Sequence, residues 1–91
     1  MQCLYRIHTE NLMGTTEIVA KHFDGFTMIQ DTGYWRGESE RSAVYEIYGD
    51  KNLATEFKVM ACAEEIRREN KQEAVLVTML PLMGSRMVGK E

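Results

Sequence analysis

Arg6, His8 and Glu46 are a cation, an imidazole and a carboxylate placed in the sequence so that they can act together. Arg6 and His8 alternate with Tyr5 and Ile7, and Glu46 alternates with Tyr45 and Ile47. In extended chain, alternation sends successive side chains to opposite faces. Tyr5, Ile7, Tyr45 and Ile47 suit a covered face, so the three polar groups share the other. A guanidinium, an imidazole and a carboxylate held together can bind a compact anion or move a proton. Thr32 or Tyr34 can join them from the segment between. The competing assignment is a structural ion-pair network buried between subunits. It is favoured, because a half-apolar open face in a small domain usually meets a partner.

The other reactive types carry weaker signals. Cys3 and Cys62 have no CxxC spacing and no neighbouring His, and read as small buried apolar residues. His22 stands beside Phe23 on an apolar helix face and reads as a satisfied or partly exposed core histidine. No metal-ligand spacing links the two histidines to the cysteines. Asp24-Gly25 reads as a turn before a catalytic aspartate. Glu38 and Glu40 flank Ser39 in a polar loop and read as solvated. Gly33, Arg36 and Gly37 can cradle a phosphate, yet no glycine-rich run opens a helix here. Ser39 and Ser42 have no base beside them, so no nucleophile is assigned. The sequence implies no catalytic residue, no metal and no cofactor. Its candidate ligand-binding set is Arg6, His8, Glu46, Tyr34, Trp35 and Arg36.

These groups must be positioned by a small number of elements. Cys3–Thr9 is predicted as a strand and Asn11–Gly14 as a linker. Thr15 or Thr16 is expected to cap a helix carrying Ile18, Val19, His22 and Phe23, which ends at Asp24-Gly25 with the glycine left-handed. Phe26–Trp35 is the second predicted strand, Arg36–Arg41 a hairpin loop, and Ser42–Tyr48 the third strand. Leu53–Glu69 lacks Gly and Pro and is the strongest helix, capped by Asp50 or Asn52 and ended by Asn70. Val59, Cys62, Ala63 and Ile66 form its inward stripe, and Glu64, Glu65, Arg67 and Arg68 point out. Glu73–Leu80 is the fourth strand. Its nearly unbroken apolar run suits cover on both faces, and Pro81 stops it. Right-handed crossovers fold this order into a ferredoxin-like α+β domain, βαββαβ, with a four-stranded antiparallel sheet and both helices on one face. The alternative is an open layer whose first strand is missing or swapped. Residues 1–81 form the domain, and 82–91 a tail ordered against a partner.

At the hairpin, Tyr34-Trp35-Arg36-Gly37-Glu38, followed by Glu46 in the next strand, resembles the Tyr-Trp-x-Gly hairpin of CutA proteins and the layout of PII-type regulators. No His-Pro-Tyr segment follows the third strand, and no PII-like phosphate loop is recognisable. The chain also looks like small uncharacterised bacterial and phage proteins with a Phe-Asp-Gly-Phe-Thr and Gly-Tyr-Trp-x-Gly core. The first resemblance implies a trimer whose long hairpins reach across to a neighbour.

The totals narrow the function classes. With 91 residues the chain has room for one thin core, which a partner subunit would help to cover. A net charge of −3 with scattered Lys and Arg gives no footprint for nucleic acid or anionic membrane. No apolar leader and no membrane-span-length segment is visible, which points to the cytoplasm. The reading is a small regulatory or binding protein. It associates with itself as a dimer or trimer and recognises a compact, nucleotide-like anion or a protein partner. The alternatives are a small dimeric α+β-barrel enzyme using His8 and a phage-encoded inhibitor or structural interaction protein.

Overall fold

The computed structural model describes residues 1–89. Alternation carries the first strand one residue further at each end than expected, so that β1 is Gln2–Glu10. Then follow α1 (Thr15–His22), β2 (Thr27–Trp35), β3 (Glu38–Asp50), α2 (Leu53–Glu69) and β4 (Leu76–Pro81). The sheet order is β2-β3-β1-β4 and every pairing is antiparallel. This is the expected ferredoxin-like α+β fold.

Both helices pack on the sheet face that carries Cys3, Tyr5, Ile7, Ala43, Tyr45 and Ile47. Ile18, Val19, Val59, Cys62, Ala63 and Ile66 close the core from above. Each fully buried aliphatic or aromatic side chain contributes on the order of 1.5–3 kcal/mol. The two tyrosines take their hydroxyls into this core and find partners there. Tyr5 Oη donates to the Asp50 carbonyl at 2.9 Å, and Tyr45 Oη and Thr16 Oγ1 lie 2.8 Å apart. Both cysteines are buried and free. Burial in apolar surroundings, with Glu65 as a lesser cause, pushes the Cys62 thiol up to about 12.

Several local expectations are corrected. Neither threonine caps α1. Gly14 holds the N-cap position at φ 91°, while Thr16 bonds Tyr45 and the buried Thr15 accepts from Asn70 at 2.9 Å. The hydroxyls are used for tertiary contacts, and the left-handed turn falls to the residue without a Cβ. At the far end, extended Phe23 caps the helix and Gly25 has no positive φ. On α2 the Asn52 side chain accepts the Thr55 amide at 2.8 Å, and Asn70 is the C-cap. The left-handed residue that follows is Lys71, at φ 54°.

The larger corrections concern the sheet. The polar stretch expected as the loop Arg36–Arg41 is a two-residue turn, Arg36-Gly37, with φ of 52° and 83°, and β3 begins at Glu38. Consecutive positive φ values match the twist of a tight hairpin, and ladder hydrogen bonds hold its polar strands without core-facing residues. β4 is an edge strand with Leu76, Met79 and Leu80 half exposed, so the expected cover on both faces is absent. Pro81 is its last residue, opposite Cys3, and the Leu82 amide still donates to the Gln2 carbonyl at 2.9 Å. Residues 82–89 form no helix or strand; Lys90 and Glu91 of the expected tail lie outside the described residues. Among the described residues no helix is long and apolar enough to cross a membrane.

Candidate functional site

Register decides what shares the open face. Thr27, Glu46, Arg6 and Thr78 stand in one row across the four strands, and Ile29, Val44, His8 and Leu76 in the next. Tyr48, Leu4 and Leu80 form a third row on the other side. The central row is polar and the flanking rows are largely apolar. Leu4, enclosed by its neighbours, is buried, whereas Ile29, Tyr48, Leu76 and Leu80 are 42%, 62%, 60% and 51% exposed.

Arg6 donates from Nε to Glu46 Oε2 at 2.8 Å, with the carboxylate well covered and the guanidinium about half so. A guanidinium has five N–H donors, and this one uses its inner nitrogen on the protein. Among the described residues no other side chain claims its two terminal nitrogens. His8 Nε2 lies 3.0 Å from Thr78 Oγ1. Thr78 and Thr27 were not anticipated, since they reach the cluster only through the pairing of edge strands with the central ones.

The hairpin residues go elsewhere. Thr32 and Tyr34 pair with Arg41 and Ser39, which alternation puts on the opposite face from Glu46. They therefore do not join Arg6 and His8 within one chain. Trp35 has the same facing as Glu46 but pairs with Glu38, eight residues along β3. At about 3.3 Å per residue that is roughly 26 Å away. Tyr34 and Trp35 are 75% and 60% exposed there, with the Arg36 guanidinium 5.6 Å from the indole centroid.

His22 lies on the covered side of the molecule, away from this face. Its Nε2 is 3.0 Å from Glu65 Oε1, and Lys21 bonds the other carboxylate oxygen. Those two hydrogen bonds, Lys21 first, hold the Glu65 carboxyl below the usual range. Glu65 thus clasps α1 to α2 instead of pointing freely outward. Among the described residues no three His, Cys, Asp or Glu side chains gather as a metal site requires.

Known structures share this fold. A phage SAM lyase aligns with a TM-score of 0.68 and 21% identity over 85% of this chain and 78% of its own. A structure of a phage SAM lyase with S-methyl-5′-thioadenosine bound aligns at 0.68 and 20%, over 86% and 79%. A DUF3240 family protein from Shewanella baltica reaches 0.72 at 12% identity over 97% of both chains. The CutA divalent cation tolerance protein of Archaeoglobus fulgidus gives 0.61 at 12%, over 94% and 88%. The likeness to CutA extends from the hairpin to the whole fold. At these identities it is a likeness of fold alone. No family model matches the chain, and no curated protein does.

Proposed function

We propose that this protein is a small binding protein that associates with copies of itself through the open sheet face. It holds a compact, nucleotide-like anion at Arg6 and His8. One observation carries the reading: a guanidinium with unclaimed donors, beside a partly exposed imidazole, in the middle of a face flanked by exposed apolar rows. The apolar rows supply area for a neighbouring subunit, and the polar row supplies a charged floor. Glu46 orients the guanidinium, and an anion takes its terminal nitrogens in charge-assisted hydrogen bonds. Tyr34, Trp35 and Arg36, too distant in their own chain, contribute from the hairpin of a neighbour in a dimer or trimer. That a phage SAM lyase holds S-methyl-5′-thioadenosine on this fold supports an adenine nucleotide as the first probe.

A titration with AMP and with the neutral S-methyl-5′-thioadenosine tests the reading. AMP should bind, and Arg6→Ala should weaken it by about tenfold or more, because a hydrogen bond to a charged group contributes about 1.5–3 kcal/mol. The variant should keep its circular dichroism and its native mass. AMP that binds the variant equally well, or does not bind the wild type, would sink the proposal. A second reading rests on His8 itself: an imidazole held by Thr78 within reach of a bound ligand can act as a general base in a small enzyme. Turnover of a bound nucleotide that is lost in His8→Gln with binding retained would select that reading.

A further inference from the structure

β4 ends beside a cavity. It has a volume of about 440 Å³ and lies between the first turn of α2 and the covered side of β4. Cys3 and Tyr5, both buried, form its floor, and Leu53, Met79 and Pro81 its walls. The hydroxyl there, Tyr5 Oη, already donates to the Asp50 carbonyl, so the floor suits an apolar occupant. Lys51 and Glu56 stand on the rim. Among the described residues Glu56 forms no ion pair.

The segment that leaves the same rim is apolar and touches nothing. Residues 82–89 form no helix or strand. Met83 is fully exposed, Met87 and Val88 are 97% and 93% exposed, and none of them lines the cavity. The free edge of their own sheet cannot take them. The Leu82 amide donates to the Gln2 carbonyl, so alternation turns the backbone groups of Met79, Pro81 and Met83 toward that edge. A hairpin returning through Gly84-Ser85 would set Val88 opposite Pro81, which has no N–H to give. The ladder would break after its first pair.

We infer that the tail of one copy fills the cavity of a second, and that two copies exchange tails about a two-fold axis beside Pro81. The cavity and the root of the tail share one rim, so an axis there turns each tail toward the other's cavity. One patch then serves both copies. Leu82 to Val88 spans roughly 20 Å when extended, enough to cross the contact. Met87 enters, since an unbranched thioether adapts to an irregular hole. Met83 lies on the same side of an extended segment and covers the lip. Arg86, next to Met87, meets the unpaired Glu56 of the other copy. Lys51 on that rim opposes it, which seats the tail on the Glu56 side. The exchange uses the end of the sheet and leaves Arg6 and His8 free, so it does not rest on the ligand reading.

Disulfide trapping between different chains tests the exchange. Leu53→Cys protein carrying a heavy isotope label is mixed with unlabelled Met87→Cys protein under mild oxidation. A covalent dimer of mixed mass should form, and Leu53→Cys alone should not link. In native mass spectrometry, Met87→Asp with Val88→Asp should halve the assembly mass. Both residues are exposed in the single chain, so its circular dichroism should not change. Glu56→Lys should lower the exchanged fraction, and Glu56→Lys combined with Arg86→Glu should restore it. Failure of the mixed dimer to form overturns the inference, as does an unchanged mass in the charged-tail variant. An intrachain disulfide at monomer mass in Leu53→Cys with Met87→Cys overturns it too, because the tail then fills its own cavity.

Discussion

The two faces of the sheet are built from the same strands and obey opposite rules. Under the helices, the side chains of β1 and β3 are almost fully buried, and their polar atoms are bonded inside the fold. On the other face the same strands present an ion pair and an imidazole, flanked by apolar side chains that the single chain leaves exposed. One face is finished by the chain itself. The other has the composition of an interior with nothing above it. Exposure in one chain is therefore a poor measure of what a residue is for: Leu80 and Tyr48 have the character of core residues without a core to enter.

Four perturbations probe that contrast. The largest is Ile66→Asp. The residue is fully buried, and an unpaired carboxylate there should cost more than about 4 kcal/mol, enough to abolish the cooperative thermal transition. A variant that still melts near the wild-type temperature would show that α2 does not seal the covered face as described. Tyr45→Phe comes next. It keeps the ring and removes the bond to Thr16, and should lower stability by about 1 kcal/mol in a denaturant titration. Arg6→Ala, on the open face, should cost about 1 kcal/mol in the free chain, since a pair whose guanidinium still reaches water contributes little. A much larger loss in denaturation would mean that a partner buries this face so fully that Glu46 is left unpaired without water. The smallest effect is in the pH dependence at the helix pair. The folded-state pKa of Glu65 is depressed, so its contribution is present above the ordinary carboxylate value of about 4.3 and fades as pH falls through the folded value. Between pH 6 and pH 3 the stability gap between wild type and Glu65→Gln should narrow. A gap independent of pH would show that the Lys21 and His22 bonds to Glu65 do not persist in solution.

The elements that face the core were legible in the sequence because the core imposes a period. Alternation in Tyr5-Arg6-Ile7-His8 and Tyr45-Glu46-Ile47 marks two strands with one buried side, and the same alternation brings Arg6 opposite Glu46. Val59, Cys62, Ala63 and Ile66 were legible for the same reason. Legibility failed where the core is absent. Glu38–Arg41 has no apolar period because that part of the hairpin extends beyond the helices, and backbone ladder bonds alone make it strand. The apolar run of β4 reads as a doubly covered strand, yet sheet order puts it at an edge, and order depends on pairings that its own composition does not encode. The position of Tyr34 failed for a further reason: whether it meets Arg6 depends on its distance along the ladder as well as on parity.

One feature of the sheet also sets a timetable. β1 has β3 on one side and β4 on the other, and its contacts with β4 join His8 to Leu76 and Cys3 to Pro81. During synthesis, the strand that will lie inside the sheet waits with an unpaired edge until nearly the whole domain has been translated. Until then the nascent chain offers a strand edge bearing Leu4 and Ile7, the kind of edge that recruits other chains. Closing so long a loop is slow relative to local helix formation. The refolding rate of the purified chain should therefore be governed by the arrival of β4, and ribosomes paused before Leu76 should accumulate the aggregation-prone species.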